Sequence, residues 1–288
     1  MKLKKILKKI LLPFLRIIRD SYNVPSTERF SLKRVTRTFR YRFASIGIPL
    51  TKNEKNLKKF KNKHAGERCF IIGNGPSLNK LDLSKIKNEY TFGVNAIYTN
   101  YEKMGFYPTY YVVEDIFVAE DRCSEINNYN ESIKFFGDYL KYCLSPDEKS
   151  INMNVIYNYT DYHNFPRFSK NVARKIYVGG TVTYLCIQLA YYMGFKEVYL
   201  IGIDHNYIIP KEAKVEGYDI LSVSDDPNHF NKDYFGKGKR WHDPMLDRME
   251  KAYKKARIYF EKNSRTINNA TAGGKLEIFD RIDYNELF

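Results

Sequence analysis

Three of the five histidines, His205, His229 and His242, fall in or beside one polar stretch late in the 288-residue chain. A neutral imidazole near pH 7 is the usual general base for activating a hydroxyl. His242 sits in Arg240-Trp241-His242-Asp243-Pro244, where Asp243 could orient the ring. Arg240, Lys237 and Lys239 lie just ahead of it and could hold a diphosphate or an acidic sugar. A second candidate is the pair Glu114-Asp115. Two carboxylates that converge at a turn can hold Mg²⁺ or Mn²⁺ bridged to a diphosphate. The same pair can instead cap a strand end or form salt bridges. Asp225-Asp226 is a weaker version and fits a turn before Pro227. His64 and His163 receive no role. No Gly-x-Ser-x-Gly elbow and no His-Glu-x-x-His helix occurs, which lowers hydrolase readings.

A third candidate lies earlier. The apolar run Cys69-Phe70-Ile71-Ile72 ends in Gly73-Asn74-Gly75-Pro76-Ser77-Leu78. That is how a buried strand hands over to a loop that holds a phosphate or nucleotide. Gly73 and Gly75 let the backbone turn sharply and approach a ligand. Pro76 suits the first turn of a helix, whose free N–H groups favour anions. The loop is neither the dinucleotide fingerprint nor a Walker loop, because no Gly-Lys-Ser/Thr follows. A tight turn without a ligand remains the alternative.

Positioning these groups requires an α/β framework. Strand-like runs cover 69–72, 90–94, 110–113, 134–136, 155–157, 175–178, 197–201 and 266–268, and helices are expected over 181–193 and 244–261. The first helix starts beyond Gly179-Gly180, and Gly194 is a natural stop. Strands alternating with helices predict a Rossmann-like, mostly parallel, doubly wound sheet. Residues 205–243 are polar, aromatic and irregular, the composition of an active-site lid. Ligands of open parallel sheets sit beyond the carboxyl ends of strands. That rule gathers Asn74, Gly75 and Ser77, then Asn95, then Glu114-Asp115, then Gly179-Gly180-Thr181, and finally Asp204-His205. Asn74 and Asn95 both donate and accept, which suits ribose hydroxyls, a base edge or a phosphate oxygen, or their own turns.

Charge is divided along the chain. Residues 1–68 hold 20 Lys+Arg and 4 Asp+Glu, or +16; the remaining 28 and 29 give −1. The catalytic part is therefore expected at 67–288, with the lid at about 205–243, preceded by a basic arm and linker at 1–66. In the arm, Leu3, Ile6, Leu7, Ile10 and Leu11 follow helical spacing between lysines, and Pro13 should kink or divide the helix. No uncharged run is long enough to span a bilayer, and lysines interrupt what a signal peptide would keep apolar. A basic amphipathic helix on an anionic inner leaflet is the favoured reading, through residues 1–45. A partner protein or a nucleic acid is the alternative, and nucleic acid is not expected. Residues 52–63 add six lysines and read as a solvated linker or helix. Cys69, Cys123, Cys143 and Cys186 are scattered without a Cys-x-x-Cys pair, which excludes a zinc or disulfide framework and fits a reducing cytoplasm.

Three blocks carry a resemblance: Gly73-Asn74-Gly75-Pro76-Ser77-Leu78, Phe92-Gly93-Val94-Asn95, and the run from Met193-Gly194-Phe195-Lys196-Glu197-Val198 to Tyr199-Leu200-Ile201-Gly202-Ile203-Asp204. Over roughly 67–288 the chain resembles the family of domain of unknown function 115, which includes motility-associated flagellin glycosyltransferases and the archaeal pterin pyrophosphokinase MptE. It also resembles the bacterial sialyltransferases of glycosyltransferase family 42. The sialyltransferase likeness implies a CMP-linked donor, a histidine base and no required cofactor. It implies that Gly73, Asn74, Gly75, Ser77, Asn95, Gly180, Thr181 and Asp204 surround the nucleotide, with Thr181 a substitution for that family's contacting residue. Tyr207 and Tyr218 match lid tyrosines near the donor phosphate, joined by Arg240. His242 followed five residues later by Asp247 reproduces the spacing of the family's catalytic histidine and its Asp. Glu114-Asp115 stand where that family has an Asn, so Mg²⁺ or Mn²⁺ would bind there only in a metal-dependent enzyme.

The implied function is transfer of a nucleotide-activated, CMP-linked acidic sugar to a glycan or lipid-linked acceptor. It would serve cell-surface polysaccharide or glycolipid synthesis, from the cytoplasmic face of the membrane. The alternatives are Mg²⁺-dependent diphosphate transfer from ATP to a pterin-like alcohol, and a non-catalytic nucleotide-binding module at the membrane. A homo-oligomer is neither required nor excluded.

Overall fold

The structure is a computed structural model that describes residues 32–156 and 165–288. The amphipathic stretch at 1–19 and His163 lie outside the described residues.

Eight strands form the central sheet: β1 (Arg68–Ile72), β2 (Tyr90–Val94), β3 (Tyr110–Val113), β4 (Ile133–Gly137), β5 (Ser150–Met153), β8 (Glu197–Ile201), β12 (Thr266–Asn269) and β13 (Asp280–Arg281). Their order is β13-β12-β8-β1-β2-β3-β4-β5, and every neighbouring pair is parallel. The chain leaves β1 toward β5 on one side and returns through β8 on the other. The strand order therefore switches between β1 and β8, and a crevice opens there at the carboxyl ends. The Rossmann-like, doubly wound expectation holds. A two-stranded ribbon, β6 (Val155–Ile156) with β7 (Ile176–Tyr177), accounts for the runs predicted at 155–157 and 175–178.

Alternation along β1 builds two cores. Cys69 and Ile71 face one layer, with Leu185, Ile187 and Leu189 of the helix Val182–Met193 and Ala252 and Ala256 of the helix Leu246–Glu261. Phe70 and Ile72 face the other, covered by short 3-10 turns and short helices. The helix Val182–Met193 is buried along its whole length, which explains its apolar, barely amphipathic sequence. Numbered in chain order, the helices are α1 (Leu32–Ser45), α2 (Lys52–Lys59), α3 (Tyr101–Met104), α4 (Ile116–Asp121), α5 (Cys123–Asn128), α6 (Val182–Met193) and α7 (Leu246–Glu261).

Two expectations are corrected here. The boundary at 66 is too late, because α2 is built into the fold. Thr51 and Glu54 close a capping box at its start, and Leu57 and Phe60 enter the same core as α6. Tyr41 of α1 is buried and donates to Asp138 at 2.5 Å. Lys52, Lys55, Lys58 and Lys59 lie on a helix whose other face is core, and Lys61 and Lys63 follow in the turn that joins it to β1, so they do not mark a linker. The lid is also not irregular throughout. It contains an antiparallel sheet of β9 (Lys214–Glu216), β10 (Asp219–Leu221) and β11 (Arg240–His242).

Candidate functional site

A pocket lies at the switch point. Its lining includes Gly73, Asn74 and Gly75 after β1, Asn95 after β2, Glu114 and Asp115 after β3, and Asp204 and Tyr207 after β8. Gly180 and Thr181 join it at the start of α6, and His242 closes it from β11. These are eleven of the predicted site residues, drawn to one place from six segments. Four are not in the lining. Asp247 is exposed in the first turn of α7. Tyr218 is 63% exposed at the turn between β9 and β10. Arg240 is spent on Glu120 at 2.8 Å and Asp121 at 2.5 Å and lies over the Phe117 ring. Ser77 is turned to Asp204. Lys237 is exposed, and Lys239 donates to the Asp121 carbonyl.

The expected phosphate loop works differently. The helical segment after it is a five-residue 3-10 turn, Pro76–Lys80. Its anion is the protein's own: Asp204 Oδ2 accepts from Ser77 Oγ at 2.6 Å and lies 3.4 Å from the Ser77 N–H. The glycines make room for the loop after β8. A Cβ at Gly73 would stand 2.4 Å from the Gly202 carbonyl oxygen, and one at Gly75 only 1.7 Å from Asp204 Oδ2. The loop after β1 and the loop after β8 are thus clamped together, and this clamp forms the pocket floor.

Within the pocket, the partner of His242 is Asp115. The His242 Nδ1 to Asp115 Oδ2 distance is 3.2 Å, Asp219 Oδ1 lies 3.7 Å from Nε2, and the ring stacks on Phe117 at 4.2 Å. Asp115 also caps α4, accepting from the Val118 N–H at 3.0 Å, so its carboxylate is fixed. Burial pulls the His242 pKa down, but Asp115, Asp219 and Glu114 together raise it above the ordinary value. Asp243 does not orient the imidazole; it accepts from the Met245 N–H at the start of α7. Glu114 is buried, and burial first, then the Asp115 charge, push its carboxyl up to about 8 against the opposing pull of His242. One carboxyl of the pair is held protonated and the other is bound to a histidine.

Asn74 shows what a ligand must bring. Its amide Nδ2 donates to the Val94 carbonyl at 3.1 Å and to the Tyr234 hydroxyl at 3.0 Å. Both protons are used, so Oδ1 is fixed as an acceptor, and it is buried without a partner. Asn95 Oδ1 is likewise buried and unpartnered, on a residue held at φ +51°. Buried acceptors in this condition are costly unless a ligand or a water donates to them. Burial also keeps the Tyr207 hydroxyl protonated, its pKa pushed up to about 12. No lysine or arginine is among the described lining residues.

Sequence reasoning missed a second pair. Asp226, read as a turn residue, is buried and accepts from His229 Nδ1 at 2.6 Å and from the Asn228 and Phe235 N–H groups. His229 stacks on Tyr234 at 4.0 Å and lines the pocket. The i,i+3 spacing of Asp226 and His229 was the available signal. His205, buried, stands at φ +51° with Nε2 3.5 Å from Glu250 Oε1 and no aligned hydrogen bond. His64 is structural, between Tyr110 and Glu67 and stacked on Phe195.

A parallel Rossmann-like sheet with a polar pocket at its switch point defines the class. The family is named by its sequence model. The 6-hydroxymethylpterin diphosphokinase MptE-like model matches residues 48–209, and the chain belongs to that MptE-like family. The match begins before α2, where the fold also begins. No curated protein matches the chain at a significant level. Among solved structures the chain is similar to a MAF glycosyltransferase from Magnetospirillum magneticum AMB-1, at 16% identity and a TM-score of 0.48, over 93% of this chain. It spans 43% of that longer protein. It is also similar to a mammalian sialyltransferase solved with Gal-beta-1-3GalNAc-ortho-nitrophenol, at 9% identity and a TM-score of 0.34, over 90% of this chain and 95% of the other.

Proposed function

We propose that the pocket holds the nucleoside of an activated sugar and that the protein is a glycosyltransferase, with a CMP-linked acidic sugar as its donor. The observation that carries the reading is the pairing of two orphaned acceptors, Asn74 Oδ1 and Asn95 Oδ1, with a histidine–aspartate couple in a pocket that has no lysine or arginine lining it. The acceptors call for hydroxyl or amino donors, which a nucleoside supplies. A triphosphate would bring its negative charge against Asp115, Asp204 and Asp243 without a lysine or arginine in the lining to meet it. A donor with one phosphodiester charge fits better.

In this mechanism neutral His242 removes the proton of an acceptor hydroxyl as that oxygen attacks the anomeric carbon. The bond to the phosphate oxygen breaks, and its electron pair leaves with the nucleoside monophosphate. Tyr207, kept protonated, donates to the developing phosphate charge. Asp115 holds the imidazole tautomer and its orientation, the role of the third member in a nucleophile–base–acid chain. The proposed mechanism needs no metal: Asp115 is engaged by His242 and the Val118 N–H, and among the described residues no three metal-ligating side chains converge. No step is routed through one.

The second reading is diphosphate transfer from ATP, favoured by the family's name. It uses the same base on a different electrophile. A thermal-shift series with CMP, CDP, UDP, GDP and ATP, each with and without Mg²⁺, separates them. A ligand at a hundredfold excess over its dissociation constant stabilises by about 2.7 kcal/mol. Stabilisation by CMP or CDP without metal is the expected outcome. Stabilisation by ATP alone, and only with Mg²⁺, would replace the first reading with the second. His242→Ala is expected to lower transfer by about 10²–10⁴-fold while donor affinity stays near wild type; full activity would remove His242 from the mechanism.

A further inference from the structure

α1 is apolar on two faces. Tyr41 and Ala44 point inward and are buried. Phe39 and Phe43 of α1 and Ile46 just past its end, at i, i+4 and i+7, are 45%, 42% and 72% exposed. Ile48 and Leu50 continue the patch beyond the helix at 51% and 55%. A surface helix normally turns polar residues outward. Five large apolar side chains within twelve residues make a contiguous patch of the kind that marks an interaction surface. Phe39, Phe43 and Ile46 line a groove with Arg42 and Arg174. Among the described residues neither arginine has an ion-pair partner, whereas Arg40 on the same helix is paired with Glu54.

We propose that this face docks on an anionic lipid bilayer, with the phenylalanine, isoleucine and leucine side chains entering the headgroup boundary and Arg42 and Arg174 meeting lipid phosphates. Charge decides among the occupants. A second copy would bring the same two unpaired arginines against themselves. The chain's own residues 1–31 carry eight Lys+Arg and two Asp+Glu, so they would add cations to a cationic face. An anionic surface is the complement of both the patch and that segment. The patch is also placed usefully. Tyr41, on the inner face of α1, bonds Asp138 just beyond the end of β4, and the next residue, Tyr139, donates to the Glu114 carbonyl. The docking helix therefore packs at the carboxyl edge of the sheet, the edge on which the pocket opens.

The test is flotation of the full chain with vesicles of phosphatidylcholine, and of phosphatidylcholine mixed with phosphatidylglycerol. Wild type is expected to float with the mixed vesicles and to release as salt rises. Ile46→Ser with Leu50→Ser is expected to weaken binding by about tenfold or more, because both side chains lose apolar burial. Arg42→Ala with Arg174→Ala is expected to weaken it by roughly fivefold per arginine and to flatten the salt dependence. All four positions are at the surface, so melting temperature and nucleotide binding should stay at wild-type values and report folding independently of docking. Wild-type flotation by the Ile46/Leu50 variant would overturn the proposal and assign membrane binding to residues 1–31. Absence of flotation, with a dimer in sedimentation that the same variant dissociates, would overturn it in favour of self-association.

Discussion

Asp115 and His242 are 127 residues apart, and their contact sets the chemistry of the site. The raised pKa of His242 means that the imidazole is still protonated somewhat above the ordinary histidine value and must lose that proton before it can act as a base. Activity should rise with pH through that raised value. In Asp115→Asn, burial is opposed by less negative charge, so the pKa falls and the acidic limb of the rate profile moves to lower pH. The maximal rate falls by about tenfold or more as the ring loses its orienting partner. A limb that stays in place would show that another group titrates. Glu114 gives a stability readout of the opposite kind. Its carboxyl ionises at an ordinary 4.5 in the unfolded chain and at about 8 in the fold. Between those values the folded state keeps a proton that the unfolded chain has released, so stability contributed at low pH drains away as pH rises to about 8. Glu114→Gln should lack that decline, and its unfolding free energy should overtake wild type progressively toward pH 8, by on the order of a few kcal/mol at most. Parallel curves would refute the buried protonated carboxyl. The sequence made His242, Asn74 and Asn95 legible because each stands at a predicted strand end or lid edge. It could not show that Asp115, and not Asp247, reaches the imidazole, because that depends on how the lid sheet folds back over α4.

At the scale of elements, the strands were legible where both faces are buried. Tyr90–Val94, Tyr110–Val113 and Glu197–Ile201 coincide with continuous apolar or aromatic runs. β5 was not, because Ser150 and Asn152 break its run; the Asn152 N–H and carbonyl are taken up by the Asn53 side chain of α2. The strands of the lid sheet have three residues each, too short for any periodicity to register. The loop after β1 lines the pocket through Gly73, Asn74 and Gly75. Its glycines close the clamp between two loops, and this has a sharp consequence. Gly75→Ala places a methyl group into Asp204 Oδ2 and near the Gly202 carbonyl. The loop must shift, with an expected cost of about 1–3 kcal/mol and a loss of nucleotide affinity because Asn74 moves with it. Adding Asp204→Ala removes the nearest obstruction and should restore part of the stability, leaving the Gly202 contact at 2.8 Å unrelieved. Additive losses in the double variant would argue against the clamp.

For the molecule as a whole, charge makes the basic amino-terminal region look like one unit. Composition averages over faces, and α2 shows why that fails: its lysines are solvent-facing while Leu57, fully buried, and Phe60 complete the core under α6 and β4. The N–H of Asn62 and His64 also bond the carbonyls of Tyr192 and Met193, sealing the end of α6. Removing this segment would open the core of the domain and leave α6 partly uncovered. Leu57→Ala should therefore cost about 2–5 kcal/mol, the range for truncating a buried leucine. In a chain of this size that lowers the melting temperature by several degrees, at roughly 2–4 °C per kcal/mol. Lys55→Ala, on the solvent side of the same helix, should stay within about 0.5 kcal/mol. The contrast between two positions two residues apart is the informative quantity. An equally small effect at both would mean that α2 is an appendage, and the folded unit would then begin at β1, as the charge distribution alone suggested. A large effect at Leu57 only places the start of the cooperative unit ahead of α2, in agreement with the Tyr41 to Asp138 bond and with a family match that opens at residue 48.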